Sequence, residues 1–124
     1  MIDHVSLGTT RYAASVAFYQ RVLAPLGLAL VRDTGAEASF GTAEQWGFFL
    51  YPAPEGAQVT GQGAHLAFKA RSRADVRAVH EAALAAEGKD LFTPRERPDI
   101  NATYFGAMFL DLDGHRIEVV THAG

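Results

Sequence analysis

Three residues in this 124-residue chain have the types to hold a metal ion together: His4, His65 and Glu118. The histidines stand at an offset of 61 (65 − 4) and head similar segments, His4-Val5-Ser6-Leu7 and His65-Leu66-Ala67-Phe68. Glu118 lies in Ile117-Glu118-Val119-Val120, among apolar neighbours, where a carboxylate needs a partner. Two imidazoles and one carboxylate that converge in space would form a site for one first-row divalent ion (Fe, Mn, Ni, Co or Zn), with positions open to water or substrate. The alternative is that both histidines are half-buried strand residues with hydrogen-bonded rings, while Glu118 pairs with Arg116 or a solvent cation.

The elements that must position these groups repeat along the chain. The offset of 61 that aligns the histidines continues without a gap to Gly27 and Gly88 (88 − 27), bringing Ala13 onto Ala74, Ala17 onto Ala78 and Leu23 onto Leu84. Each half opens with a period-2 strand, Ile2 to Leu7 and Ala64 to Phe68. Val5, Leu7, Leu66 and Phe68 share one face; His4, Ser6, His65 and Ala67 share the other. A helix follows in both, Tyr12 to Leu23 with Thr9 or Thr10 as cap, and Arg73 to Glu87 with an S-x-x-D start at Ser72 and Asp75. Gly27 and Gly88 supply the stops. Short strands complete each half: Ala29 to Arg32, Glu37 to Phe40 and Trp46 to Tyr51, then Asp90 to Thr93, Thr103 to Leu112 and Arg116 to Thr121, with Asp113-Gly114 as a tight turn. The predicted fold is α+β, two tandem βαβββ modules forming a cupped mixed sheet. One domain spans 1–124, with module 1 at about 1–52, a Pro- and Gly-rich linker at 53–63 and module 2 at about 64–124. Period 2 on the last strand sends Glu118 to the side of His65 if Ile117 and Val119 pack under the second helix.

Composition narrows the functional classes. With 48% hydrophobic and 20% charged residues the chain can bury a core of its own. A formal charge of −3, with scattered basic residues, argues against a nucleic-acid partner. The absence of cysteine removes disulfides, thiolate nucleophiles and Cys-ligated metal clusters. No stretch of about 18 apolar residues occurs and no basic-then-apolar leader opens the sequence, so a cytoplasmic protein with no membrane partner is expected.

Further candidates surround the three donors. Pairing Phe49 with Glu118, as the family resemblance described below implies, gives an offset of 69 (118 − 49) at the last strands against 61 at the first, and so eight extra residues (69 − 61) in module 2, mostly within Arg95 to Ala102. This polar, proline-broken loop suits either substrate contact, through Asn101, or a solvated connection. Tyr104 just beyond it is the candidate acid/base residue, a phenol able to donate to an oxyanion, or else an ordinary packed strand residue. Trp46 and Phe49 could wall a substrate pocket or belong to the core. His80, His115 and His122 are expected to be solvent-exposed.

The duplicated βαβββ pattern, Ile2-Asp3-His4-Val5-Ser6-Leu7, Phe18-Tyr19 with Leu23-Ala24-Pro25-Leu26-Gly27, and Phe109-Leu110-Asp111-Leu112-Asp113-Gly114-His115-Arg116-Ile117-Glu118 resemble the vicinal oxygen chelate superfamily over essentially the whole chain. That group includes glyoxalase I, bleomycin-resistance proteins, fosfomycin-resistance thiol transferases and extradiol dioxygenases. The resemblance implies that His4, His65 and Glu118 occupy three ligand positions. A fourth falls near Phe49, where no ligand exists and glyoxalase I carries a carboxylate; a set of three resembles instead the dioxygenases and the thiol transferases, without a clear counterpart of the latter's phosphonate-binding residues. It further implies a divalent-metal-dependent lyase, isomerase, dioxygenase or thiol transferase acting on a small oxygenated substrate that chelates the metal. The other possibility is a metal-free binder of drugs or small molecules of the bleomycin-resistance type. A homodimer is implied, with modules paired within a chain or exchanged between chains.

Overall fold

Alternating apolar residues define the first strand, β1 (Val5–Thr9), and in the computed structural model, which describes residues 1–124, the same plan is built twice. The first module is β1, α1 (Tyr12–Leu23), a 3-10 turn (Ala24–Leu26), β2 (Ala29–Asp33), β3 (Ala38–Gly41) and β4 (Trp46–Pro52). The second is β5 (His65–Lys69), α2 (Arg73–Ala85), β6 (Lys89–Glu96), β7 (Phe105–Leu110) and β8 (Arg116–Thr121). The fold is α+β, two repeated βαβββ modules, as the sequence predicts. The mixed sheet comes in two four-stranded halves, β1-β4-β3-β2 and β5-β8-β7-β6, each with its first strand parallel to its last. Ser6 lies opposite Phe49 and Ala67 opposite Glu118, so both sequence offsets hold in three dimensions.

The helices form for local reasons that differ between modules. Ser72 caps α2, its Oγ accepting the Asp75 N–H at 3.1 Å. Ser72→Ala is expected to cost about 1 kcal/mol, read as a lower urea midpoint at unchanged slope. Neither Thr9 nor Thr10 caps α1. Arg11 takes that position without a side-chain bond, because both threonines are turned toward Asp113 of the second module. Gly27 closes the first helical segment at φ 76°, as expected. After α2 the left-handed residue is Glu87 rather than Gly88. Gly88 is required by packing instead: a Cβ there would stand 2.8 Å from the Ala83 carbonyl and 3.2 Å from the Phe18 ring. Strand β6 runs past Pro94 to Glu96, beyond the expected end at Thr93. It is an edge strand bulged between Phe92 and Arg95, where a missing N–H is tolerated.

The helix-bearing faces of both sheets share one core. Phe48 of β4 lies at its joint, ring centroids 4.8 Å from Tyr19, 5.8 Å from Phe40 and 5.4 Å from Phe68. Phe18 of α1 reaches Phe109 of β7 at 6.2 Å. A polar latch lies beside this joint, in the turn between β7 and β8. Asp113 accepts from the Thr9 hydroxyl at 2.5 Å, the Thr10 hydroxyl at 2.7 Å and the Thr10 N–H at 2.8 Å. Asp111 accepts from the Tyr19 hydroxyl at 2.5 Å and from the N–H groups of Asp113 and His115. His115 is therefore buried, not exposed as expected, with Nε2 donating to the Gly8 carbonyl at 2.8 Å. His80 is likewise buried, its Nε2 2.7 Å from Asp90 Oδ1, while His122 is exposed. No helix is long and apolar enough to cross a membrane.

Candidate functional site

Because Leu66, Phe68, Ile117 and Val119 pack into the core, their alternates on β5 and β8 emerge on the outer face of the second sheet. There His65 Nε2 lies 3.3 Å from Glu118 Oε1, with the imidazole about half exposed and the carboxylate 13% exposed. The other oxygen of Glu118 accepts the Tyr104 hydroxyl at 2.7 Å. Tyr104 precedes β7 and folds back across it, and only a glycine leaves room: a Cβ on Gly106 would stand 2.6 Å from the phenolic oxygen. Burial raises the Tyr104 pKa, and the hydrogen bond to Glu118 and its charge raise it further. The phenol thus keeps its proton at neutral pH and fixes one carboxylate oxygen, leaving Oε1 toward the imidazole. Arg116, the alternative partner for Glu118, lies instead opposite His65 in the strand register.

The remaining candidates are placed elsewhere. His4 precedes β1 on the first module, exposed, its Nδ1 2.6 Å from Asp3 Oδ1 and its ring edge-on to Phe49 at 5.3 Å. It makes no contact with His65 or Glu118, and no three His, Asp or Glu side chains of one chain are grouped to hold an ion. Phe49 is the register counterpart of Glu118 in the first sheet and stacks with Tyr51 at 6.4 Å. Trp46 is exposed at the start of β4. Asn101 closes its own loop, Oδ1 accepting the Thr103 N–H at 2.8 Å and hydroxyl at 2.7 Å. A cleft of about 550 Å³ runs between the β1 and β5 sides along residues 58–64 and is lined by Val5, Leu7, His65 and Arg116; Trp46, Phe49 and Asn101 are not among its walls. Gly106 went unnoticed in the sequence, where a glycine two residues after a tyrosine carries no signal until the phenol is seen to lie over it.

The family profile of the Glyoxalase/Bleomycin resistance protein/Dioxygenase superfamily matches residues 1–119. No curated protein matches the sequence. Among solved structures, a glyoxalase/bleomycin resistance protein from Albidiferax ferrireducens T118 is 26% identical, with a TM-score of 0.83 over 96% of this chain and 97% of that one. The genomically encoded fosfomycin resistance protein FosX from Listeria monocytogenes is 20% identical, with a TM-score of 0.71 over 98% of this chain and 92% of its own. A glyoxalase I mutant from Zea mays is 24% identical, with a TM-score of 0.72 over 96% of this chain, which spans 46% of the maize protein.

Proposed function

We propose that this chain, which belongs to the Glyoxalase/Bleomycin resistance protein/Dioxygenase superfamily, is a divalent-metal-dependent enzyme whose site is completed when two copies pair. The observation that carries this reading is the His65–Glu118 pair: an imidazole nitrogen and a carboxylate oxygen facing each other at 3.3 Å on an outer sheet face. The donor types fit Fe, Mn, Ni, Co or Zn, and Tyr104 holds the carboxylate without consuming the oxygen that faces His65. His4 is the third donor, contributed by the second copy. Strand β1, which begins just after His4, and β5, which begins at His65, are both end strands of their sheets, and a sheet edge is a template for another strand. Structures described as glyoxalase I and as a fosfomycin resistance protein share this fold.

A bound divalent ion would supply Lewis-acid stabilisation of negative charge developing on two neighbouring substrate oxygens. The chain's own part is positional. Tyr104 fixes Glu118 by donating its phenolic proton to one carboxylate oxygen, and Gly106 makes that seat possible. The reaction belongs to the isomerase or lyase, dioxygenase, or thiol-transfer class, and the identity of the native metal selects among them. A second reading, a metal-free binder of small molecules, is favoured by one observation: Phe49 replaces a donor and stacks with Tyr51 to form an aromatic surface on the first sheet.

Elemental analysis of protein purified without a His tag or chelator tests the assignment. Near-stoichiometric metal in the wild type, lost with His65→Ala and with His4→Ala, is the expected result. Dimers in sedimentation should accompany it. No metal after incubation with each ion would sink the enzyme reading and favour the binder.

A further inference from the structure

The strand register lays out the outer face of the second sheet as three rows. They are His65, Arg116, Leu110 and Lys89; Ala67, Glu118, Met108 and Phe92; and Lys69, Val120, Gly106 and Arg95. Four of these twelve residues are Lys or Arg, and Glu118 in the middle row is the lone carboxylate, so the face carries a formal +3 (4 − 1) on a chain whose net charge is −3. The positive charge is therefore local to this surface. None of Lys69, Lys89, Arg95 and Arg116 has an acidic side chain within 4.0 Å, although His65 and Glu118 pair on this face and five other close acid–base pairs form elsewhere. Unpaired like charges around one carboxylate repel one another until an anion joins them.

Arg95 is the most strongly positioned of the four. Its guanidinium lies 4.9 Å from the Phe92 ring centroid, a stacking contact that restrains a side chain otherwise free to swing into solvent. It is opposite Gly106, over which Tyr104 lies on its way to Glu118. Arg97 also touches Phe92, at 5.4 Å, but is engaged with Asp99 at 2.7 and 2.9 Å, so Arg95 keeps its donors free. Arg116 is the register partner of His65 and stands two residues from Glu118 on β8. Unengaged guanidiniums thus flank the His65–Glu118 pair along both directions of the sheet.

We propose that this face selects a small organic acid, its carboxylate held by Arg95 and Arg116 beside His65 and Glu118, with Lys69 and Lys89 adding long-range attraction. The inference rests on the preceding section in taking this face as the substrate side, and it narrows that substrate from any oxygenated molecule to an anion. Guanidinium suits the task because its planar fork pairs with a carboxylate through two parallel hydrogen bonds.

The probe is phenylglyoxylate, an aromatic acid with neighbouring oxygens, compared with its uncharged methyl ester by isothermal titration calorimetry. The acid is expected to bind, and to bind less tightly as salt rises. Arg95→Gln and Arg116→Gln should each weaken the acid about tenfold or more, with the ester weak in every protein. A Lys69→Gln, Lys89→Gln double variant, which removes only distant charge, should show a smaller loss and a flatter salt dependence. Equal affinity for acid and ester in metal-loaded wild type would overturn the proposal and leave the metal assignment standing. So would undiminished acid binding in the double arginine variant. Arginine-dependent acid binding by a chain that takes up no metal would support the anion site and sink the metal assignment instead.

Discussion

Phe48→Ala should cost about 3–5 kcal/mol of unfolding free energy, the range for removing a large aromatic from a packed core. The ring is 3% exposed, and it touches α1 through Tyr19, its own sheet through Phe40 and the other module through Phe68. A cavity at such a joint closes only if two sheets and a helix shift together, so the loss should lie toward the upper end. Against a total of roughly 5–15 kcal/mol for a domain of this size, that is a large share. The next residue supplies the control. Phe49 projects from the opposite face of β4 and is only partly buried, so Phe49→Ala should change stability by less than about 1 kcal/mol. Urea denaturation of both variants decides the matter. Equal losses would mean that the outer face of the first sheet is packed as tightly as its core, contrary to this account.

The contrast between neighbouring phenylalanines also marks what the sequence could reveal. Period 2 assigned the inward set of Val5, Leu7, Leu66 and Phe68, and the offset of 61 paired His4 with His65, because these signals are local or repeated; the pairing of Phe49 with Glu118 came from the family resemblance. The bounds of α1 and β8 and the Ser72 cap were legible for the same reason. Burial of His115 and His80 was not: their partners, Gly8 and Asp90, are defined only after modules or elements have docked. Pro94 in β6 was misleading because whether a proline ends a strand depends on whether the strand lies at an edge, a property of the sheet. The candidate site divides along the same line. His65 and Glu118 meet within one module, as their shared face predicts, whereas the relation of His4 to them depends on how modules or chains associate, on which a repeat is silent. The basic face was hidden for a simpler reason: Lys69, Lys89, Arg95 and Arg116 are scattered in sequence and gather only through strand register.

Asp113→Ala is expected to destabilise the chain by about 2–4 kcal/mol although the residue lies in a turn. Its carboxylate bridges the modules, accepting two hydroxyls and a backbone N–H from Thr9 and Thr10, so truncation leaves those donors without their acceptor. The acid limb of stability should report the same contact. Partial burial acts to raise the pKa of Asp113, but the bonds from Thr9 and Thr10 outweigh it and the net shift is downward. A carboxylate with a depressed folded pKa contributes stability above its unfolded value, near 3.9, and loses it as the pH falls through the folded pKa. Asp111 has the opposite sign: burial raises its pKa despite bonds from Tyr19 and the backbone, so its contribution increases as the pH falls toward the ordinary carboxylate range. Between pH 7 and about 4, Asp111 therefore favours the fold on acidification, and below about 4 Asp113 opposes it. Asp113→Asn keeps the shape without the charge and should abolish the Asp113 part of the lower limb while preserving the upper one. Urea midpoints measured from pH 7 to pH 3 separate the two. An acid slope unchanged in the asparagine variant would show that the latch draws nothing from the charge of Asp113, leaving shape and neutral hydrogen bonding to join the modules.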